Sequence, residues 1–193
     1  MLCTTNKFVL ICTYKKAFGH ESISVLNGGL PAWEKEEGPL ETGTPQPVEP
    51  KVYKVPYVNK DIIRDYQTVL SNARNIQNGK DGAQVLDARP YARFTGEAPE
   101  PRVGLSSGHM PGSISVAFNE VVESGEMLND DKLRKVFESK GVNFDKEIIT
   151  SCGIVQLYNT CTYGYKLIDK LLFFRKRYYC IHLVFCIGKS RCP

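Results

Sequence analysis

One of the cysteines, Cys152, lies at the end of a short apolar run and is followed by a glycine. Residues 147–151 are β-prone, so the spacing predicts Cys152 at a strand end, in the loop that opens a helix. Backbone N–H groups of such a loop and the helix N-terminus favour thiolate over thiol. A thiolate held there can attack a sulfane sulfur and carry it as a persulfide. The alternative interpretation is an inert buried thiol.

A phosphatase would use the same kind of loop, but its chemistry needs an arginine six residues after the cysteine. Tyr158 occupies that position, so the sequence argues against a phosphatase.

A second set of reactive residues lies in the Gly/Pro-rich segment 87–113, which contains Arg89, Arg93 and Arg102. Guanidinium groups bind carboxylates and thiosulfate-like oxyanions through paired N–H donors. The alternative is that these arginines only form ion pairs within the segment. The carboxylates available for such pairs are Asp87, Glu97 and Glu100.

Two more polar residues of this segment are candidates for supporting roles. His109 lies between Gly108 and Met110-Pro111, where we expect it to fix a turn rather than act as a base. We expect Asp87 to order Arg89 or the turn at His109 rather than to titrate.

The elements that must position these residues follow a β–α–β–α–β order, which is typical of a parallel sheet flanked by helices. In such sheets the chemistry lies at the carboxyl ends of the strands. Both Asp87 and Cys152 fall at predicted strand ends. The predicted elements are a helix over 61–73, strands over 84–88 and 113–118, a helix over 131–140 and a strand over 147–151.

The chain divides at a proline-rich stretch, residues 39–56, which holds five of the eleven prolines and predicts an extended linker. Residues 1–38 precede it, with a β-prone run over 22–26, an Asn-Gly-Gly turn and a short helix opened by Trp33. Residues 57–193 follow as a second unit, whose pattern is lost after residue 153.

The motifs of residues 17–153 resemble those of the rhodanese-family sulfurtransferases, and are closest to plant-type thiosulfate/3-mercaptopyruvate enzymes. DAR, RFxG, PEPR and GHxPGS occur in the family's order, and IITSCG resembles the strand that carries the catalytic cysteine. NGGLPAW resembles the segment that closes a first, non-catalytic domain, where the family usually has DGG. The resemblance implies a rhodanese-like parallel sheet flanked by helices, incomplete at both ends, with residues 1–38 a remnant of the first domain.

By this resemblance Cys152 is the nucleophile and persulfide carrier, and Arg93, Arg102 and Gly153 bind the donor. Cys152-Gly153 is similar to the mercaptopyruvate subtype rather than to the CRKG of thiosulfate enzymes. The implied donors are 3-mercaptopyruvate and thiosulfate, and the implied acceptors are cyanide or a thiol, such as a thioredoxin-like protein. No metal or organic cofactor is implied. The supporting residues are Asp87, Arg89 and His109.

The resemblance stops at Gly153, which suggests a truncated or alternatively spliced form. The next residues, Ile154 and Val155, are β-branched and resist the positive φ angles that such loops use. A catalytically inactive rhodanese-like module is therefore the alternative to an active enzyme.

The composition limits the setting. The seven cysteines include no CxxC pair, so we expect free thiols in a reducing compartment, cytoplasmic or mitochondrial, and no zinc site. The net charge of +4 comes from residues 154–193, which hold seven Lys/Arg and one Asp, so it does not indicate nucleic-acid binding. No run reaches the roughly 18 apolar residues of a membrane span; binding of the basic tail to a membrane surface is a third hypothesis.

Overall fold

The computed structural model describes residues 18–19, 26–52, 63–101, 107–151 and 178–181. Its helices are α1 (Gly29–Lys35), α2 (Tyr66–Gln77), α3 (Tyr91–Thr95) and α4 (Asp130–Ser139), with a 3₁₀ turn over Phe118–Glu120. Its strands are β1 (Ile63–Arg64), β2 (Gln84–Asp87), β3 (Ser113–Ser115), β4 (Val122–Glu123), β5 (Glu126–Met127), β6 (Ile148–Ser151) and β7 (Tyr178–Ile181).

Five of these strands form one sheet in the order β1-β7-β6-β2-β3, and every neighbouring pair in it is parallel. The short strands β4 and β5 form a separate antiparallel pair. The parallel sheet predicted from the sequence is confirmed.

Helices cover both faces of the sheet because alternate residues of a strand point to opposite sides. Leu86 of β2 belongs to one buried cluster with Leu133 and Phe137 of α4. Its neighbour Val85 belongs to another cluster with Val69 of α2. The sheet is therefore flanked by α4 on one face and α2 on the other.

The helix predicted over 61–73 begins later, at Tyr66, and ends at Gln77. Ile63 and Arg64 are extended and pair with β7. The carboxylate of Asp65 accepts a hydrogen bond of 2.8 Å from the Thr68 N–H, so it caps the helix and fixes its start. The helix therefore starts at its cap, Asp65, and not at residue 61, where the apolar spacing alone would start it.

One strand lies where the sequence predicts no regular element. β7 pairs with β6 on one side and with β1 on the other, so it is an inner strand of the sheet. An inner strand of a parallel sheet is recognised in a sequence by an apolar run rather than by alternation, and such a run has no period to detect. The other residues between 152 and 193 lie outside the described part of the chain, as do residues 22–25 of the strand predicted over 22–26.

The segment before the linker contacts the β4–β5 pair. The side-chain oxygen of Asn27 accepts a hydrogen bond of 2.8 Å from the Met127 N–H. Helix α1 begins at Gly29, four residues before Trp33, whose indole N–H donates to the Pro39 carbonyl at 3.0 Å. Residues 40–52 are exposed and form no helix or strand. Among the described residues, no helix is both long and apolar enough to cross a membrane.

Candidate functional site

The carboxyl ends of β6, β2 and β3 lie side by side. Asp87 is the Cα partner of Ser151 on β6 and of Ser115 on β3. The Ala88 N–H donates to the Ser151 carbonyl at 2.9 Å. All three paired residues are buried. Cys152 follows Ser151 directly in the chain, although Cys152, Gly153 and Arg102 lie outside the described residues.

Asp87 orders the start of the loop that follows β2. Its Oδ1 accepts hydrogen bonds from the backbone N–H and the Nε–H of Arg89, both at 3.0 Å, and its Oδ2 accepts from Nη2 at 2.6 Å. The carboxylate is 1% exposed and is fully engaged by one guanidinium. These contacts are the ordering role expected for Asp87 from the sequence.

Arg89 is held on three sides. Besides Asp87, its Nη1 donates to Oε1 of Glu100 at 2.7 Å and its Nη2 to the Gly108 carbonyl at 2.6 Å. Burial lowers the pKa of Arg89, but the hydrogen bonds and charges of the two carboxylates outweigh burial and raise it. Arg89 therefore forms the ion pairs of the alternative interpretation and joins β2 to the loop that carries His109.

Arg93 lies in the short helix α3, which follows Pro90 and stops at Gly96, where φ is 87°. The residue is 8% exposed. Its Nε–H donates to Oε1 of Glu100 at 3.2 Å, and its Nη2 donates to Oε2 of the same carboxylate. Within the described part of the chain, no partner is found for Nη1.

Glu100 is the shared acceptor of both arginines, and its side chain is 3% exposed. Burial raises its pKa, but the hydrogen bonds and charges of Arg93 and Arg89 outweigh burial, so the pKa of Glu100 lies below its usual value of 4.5. Sequence reasoning treated Glu100 only as a competitor for the arginines. Its position between two prolines in PEPR was the signal that it has a fixed place.

His109 has contacts that fix a turn. Its Nδ1 lies 2.8 Å from the Phe94 carbonyl, and because a carbonyl only accepts, Nδ1 carries the proton. The imidazole stacks on the Phe94 ring with centroids 3.8 Å apart. Gly108 before it has a φ of 99°. These contacts tie the turn to the C-terminal end of α3 and place Arg93 and His109 on the same small substructure.

Ser115 is the polar residue that the sequence did not single out. It is 7% exposed, and among the described residues its hydroxyl has no hydrogen-bond partner. A serine inside a β-prone run gives no sequence signal of such a position. It lies beside Asp87 at the same edge of the sheet.

Arg89 and Arg93 share one buried carboxylate, Glu100; Asp87 joins them through Arg89, and His109 through its bond to Phe94 and the neighbouring Gly108 carbonyl. Four of the predicted site residues thus form one network at the sheet edge after which Cys152 follows. Such a network can present a guanidinium to an oxyanion while its own charges balance.

Known proteins with related sequences are sulfurtransferases, and no protein-family model matches the chain. The chain is 37% identical over 138 residues to the 3-mercaptopyruvate sulfurtransferase of Escherichia coli strain K12, covering 72% of this chain and 47% of that protein. It is 37% identical over 139 residues to the thiosulfate sulfurtransferase of Bos taurus, covering 71% and 44%. The chain thus spans about half the length of the curated relatives it matches.

Solved structures show the same relationship. The crystal structure of SseA from Escherichia coli, a rhodanese-fold 3-mercaptopyruvate sulfotransferase, matches with a TM-score of 0.71 and 30% identity over 87% of this chain and 61% of that one. The sulfur transferase subunit of yeast mitochondrial complex I matches with a TM-score of 0.73 and 30% identity over 89% of this chain and 60% of that one. In sequence the chain is related to 3-mercaptopyruvate and thiosulfate sulfurtransferases, and in fold it matches rhodanese-fold structures.

Proposed function

We propose that this chain moves a sulfane sulfur from 3-mercaptopyruvate or thiosulfate to cyanide or a thiol, with Cys152 as the carrier. The observation that carries the proposal is the pairing of Asp87 with Ser151. Since Cys152 follows Ser151 in the sequence, this pairing supports a site in which the nucleophile and the anion-binding group come from neighbouring strand ends.

The chemistry requires only the thiol and a held anion. The Cys152 thiolate attacks the sulfur of 3-mercaptopyruvate, an S–S bond forms and the C–S bond breaks. The enolate that leaves takes up the proton of the transferred thiol and becomes pyruvate. With thiosulfate, the S–S bond of the donor breaks and sulfite leaves. Cyanide then attacks the outer sulfur of the persulfide, and thiocyanate and the Cys152 thiolate are released.

Arg93 is the described residue best placed to hold the donor. Its guanidinium is buried, where a charge-assisted hydrogen bond to a carboxylate or thiosulfate oxygen is stronger than in water. Arg89 is unsuited because Asp87, Glu100 and the Gly108 carbonyl take its donors. We assign Arg93 and Arg102 to the donor anion, Gly153 to the loop around the sulfur, and Asp87, Arg89 and His109 to support.

The preferred donor is 3-mercaptopyruvate. Cys152-Gly153 and the arginine of PEPR are similar to the mercaptopyruvate subtype, and the relative from Escherichia coli carries that name. A planar carboxylate matches the fork of a guanidinium. The acceptor would be a small thiol or a thioredoxin-like protein, in the reducing environment of the cytoplasm or the mitochondrial matrix.

Persulfide formation on the purified chain tests the proposal. The protein is incubated with 3-mercaptopyruvate or with thiosulfate, and mass spectrometry follows the gain of one sulfur atom on the peptide that contains Cys152. Cys152→Ser should abolish the gain, while the matched control Cys161→Ser should keep it. No gain from either donor on folded protein would leave the inactive rhodanese-like module, which the β-branched Ile154 and Val155 favour.

The division of the chain is also a proposal. Residues 1–38 form a remnant of a first rhodanese domain, residues 39–56 a linker, and residues 57–193 the catalytic unit. The exposed, proline-rich stretch after Pro39 supports the linker.

A further inference from the structure

The two buried arginines share one carboxylate but use their donors differently. A guanidinium has five N–H groups in a fixed fork. Arg89 spends its Nε–H, an Nη1–H and both Nη2–H groups on Asp87, Glu100 and the Gly108 carbonyl. Arg93 spends only its Nε–H and one Nη2–H, both on Glu100. The described residues therefore leave three N–H groups of Arg93 for another partner, both on Nη1 and one on Nη2.

The edge that Glu100 occupies decides which edge remains. Its two oxygens take the Nε/Nη2 side of Arg93, one oxygen to each nitrogen. A second anion can then meet Arg93 only at its Nη1 end, where both Nη1–H groups and the remaining Nη2–H point. Glu100 cannot swing away easily, because its Oε1 is also bonded to Arg89, which is itself bonded to the strand end at Asp87. Arg93 is thus fixed to the sheet through a carboxylate rather than through its own helix.

We infer that Glu100 is a positioning residue that holds Arg93 by its Nε/Nη2 edge, so that the Nη1 end meets the anionic part of a substrate. The inference rests on the proposed function, since it assumes that Arg93 receives the donor anion beside Cys152. Glu100 also balances the charge of the network, so the fixed guanidinium does not have to be neutralised by the substrate.

Loss of the carboxylate has a specific consequence. In Glu100→Gln the amide offers one acceptor oxygen, and its NH₂ group points donors at an arginine that has only donors. The two-oxygen hold on Arg93 is lost, and an anion loses its fixed partner. Glu97→Gln is the matched control, because Glu97 is exposed and lies in the same loop, three residues before Glu100.

Alkylation of Cys152 by a charged and a neutral reagent tests this without requiring sulfur transfer. Iodoacetate carries a carboxylate and iodoacetamide does not; with either, an S–C bond forms and iodide leaves. The rate ratio of iodoacetate to iodoacetamide at Cys152 is measured by peptide mass spectrometry and divided by the same ratio for a peptide of residues 148–158. We expect this normalised ratio to be about ten for the wild type, because one charge-assisted hydrogen bond to the iodoacetate carboxylate changes the rate by about that factor.

Glu100→Gln should bring this ratio close to one while its iodoacetamide rate and far-UV circular dichroism stay those of the wild type; Glu97→Gln should keep the wild-type ratio. If Glu100→Gln does not fold, Glu100→Asp, which keeps the charge on a shorter side chain, should give an intermediate ratio. A wild-type ratio retained in the folded variant, or a wild-type ratio of one, would overturn the inference. Persulfide formation measured on the same wild-type sample reports separately on the proposed function.

Discussion

The Ala88 N–H and the Ser151 carbonyl are joined by a hydrogen bond of 2.9 Å, beyond the last Cα pair of β2 and β6. It locks the backbone that leads into Arg89 to the backbone that leads into Cys152. The strand ends at Asp87 and Ser151 are therefore held together by the buried parallel sheet from which the arginine network starts.

Arg89 and Arg93 should differ in what they support. Arg89→Lys keeps the charge but cannot reach Asp87, Glu100 and the Gly108 carbonyl at once, so it should lower the free energy of unfolding by about 3 kcal/mol. Arg93→Lys should cost less stability and raise the KM for 3-mercaptopyruvate by about tenfold. Urea denaturation and steady-state kinetics measure the two effects.

Arg134→Lys is the control, because Arg134 forms a part-exposed ion pair of 3.6 Å with Glu138 and lies 5.5 Å over the Phe144 ring, contacts that a lysine can keep. It should change the free energy of unfolding by less than about 0.5 kcal/mol. Equal stability losses in Arg89→Lys and Arg93→Lys, with unchanged KM in both, would contradict the division of roles.

Glu100 should make the stability depend on acid. Burial raises its pKa, but the ion pairs with Arg93 and Arg89 lower the pKa by more, so the value in the folded protein lies below the ordinary 4.5. A depressed carboxyl pKa stabilises the fold above the unfolded-state value, and this contribution disappears as the pH falls through the folded value. The difference in free energy of unfolding between wild type and Glu100→Gln should therefore be constant near neutral pH and shrink below pH 4.5.

Denaturant unfolding between pH 7 and pH 3 measures that difference. Asp65 and Asp81 also have lowered pKa values and titrate in the same range, but they are present in both proteins and cancel. Glu97→Gln, which removes an exposed carboxylate, is measured beside it as the control. A Glu100→Gln difference that does not change with pH would mean that the carboxylate is not paired in solution.

The sheet was predictable from the sequence because its signals are local. Gln84–Asp87 and Ile148–Ser151 are short β-prone runs that end in polar residues, and each lies within one residue of its predicted bounds. Helix α4 was equally clear, since its apolar spacing begins after Asn129 and stops at Gly141, where φ is 75°. These elements fix the parallel order and the common edge of the site.

The rest depends on contacts that no local pattern encodes. β7 is a strand only because β6 and β1 pair with it, and its sequence carries no period. The hold of Glu100 on two arginines joins residues seven and eleven positions apart through a non-repeating loop. Motifs located the participants, but they did not tell which carboxylate holds which guanidinium edge.

Ser115 should tolerate loss of its hydroxyl. None of the described residues bonds the Ser115 hydroxyl, and a buried hydroxyl without a partner costs desolvation free energy, so Ser115→Ala should leave the free energy of unfolding unchanged or raise it by about 1 kcal/mol. Ser113→Ala is the matched control on the same strand face, because the Ser113 hydroxyl donates to the Met110 carbonyl at 2.7 Å. It should lose about 1 kcal/mol in urea denaturation. A loss of that size in Ser115→Ala would reveal an ordered partner of its hydroxyl.

The place of β7 inside the sheet can be tested with proline. Cys180 is the Cα partner of Thr150 on one side and of Ile63 on the other, so its backbone lies between two strands. Proline removes the N–H and is excluded from central strands, so Cys180→Pro should lower the Tm by at least about 5 °C. Cys180→Ser keeps the backbone donor and should change the Tm much less. Differential scanning fluorimetry of both variants decides the matter: equal Tm values would mean that Tyr178–Ile181 does not pair within the sheet in solution.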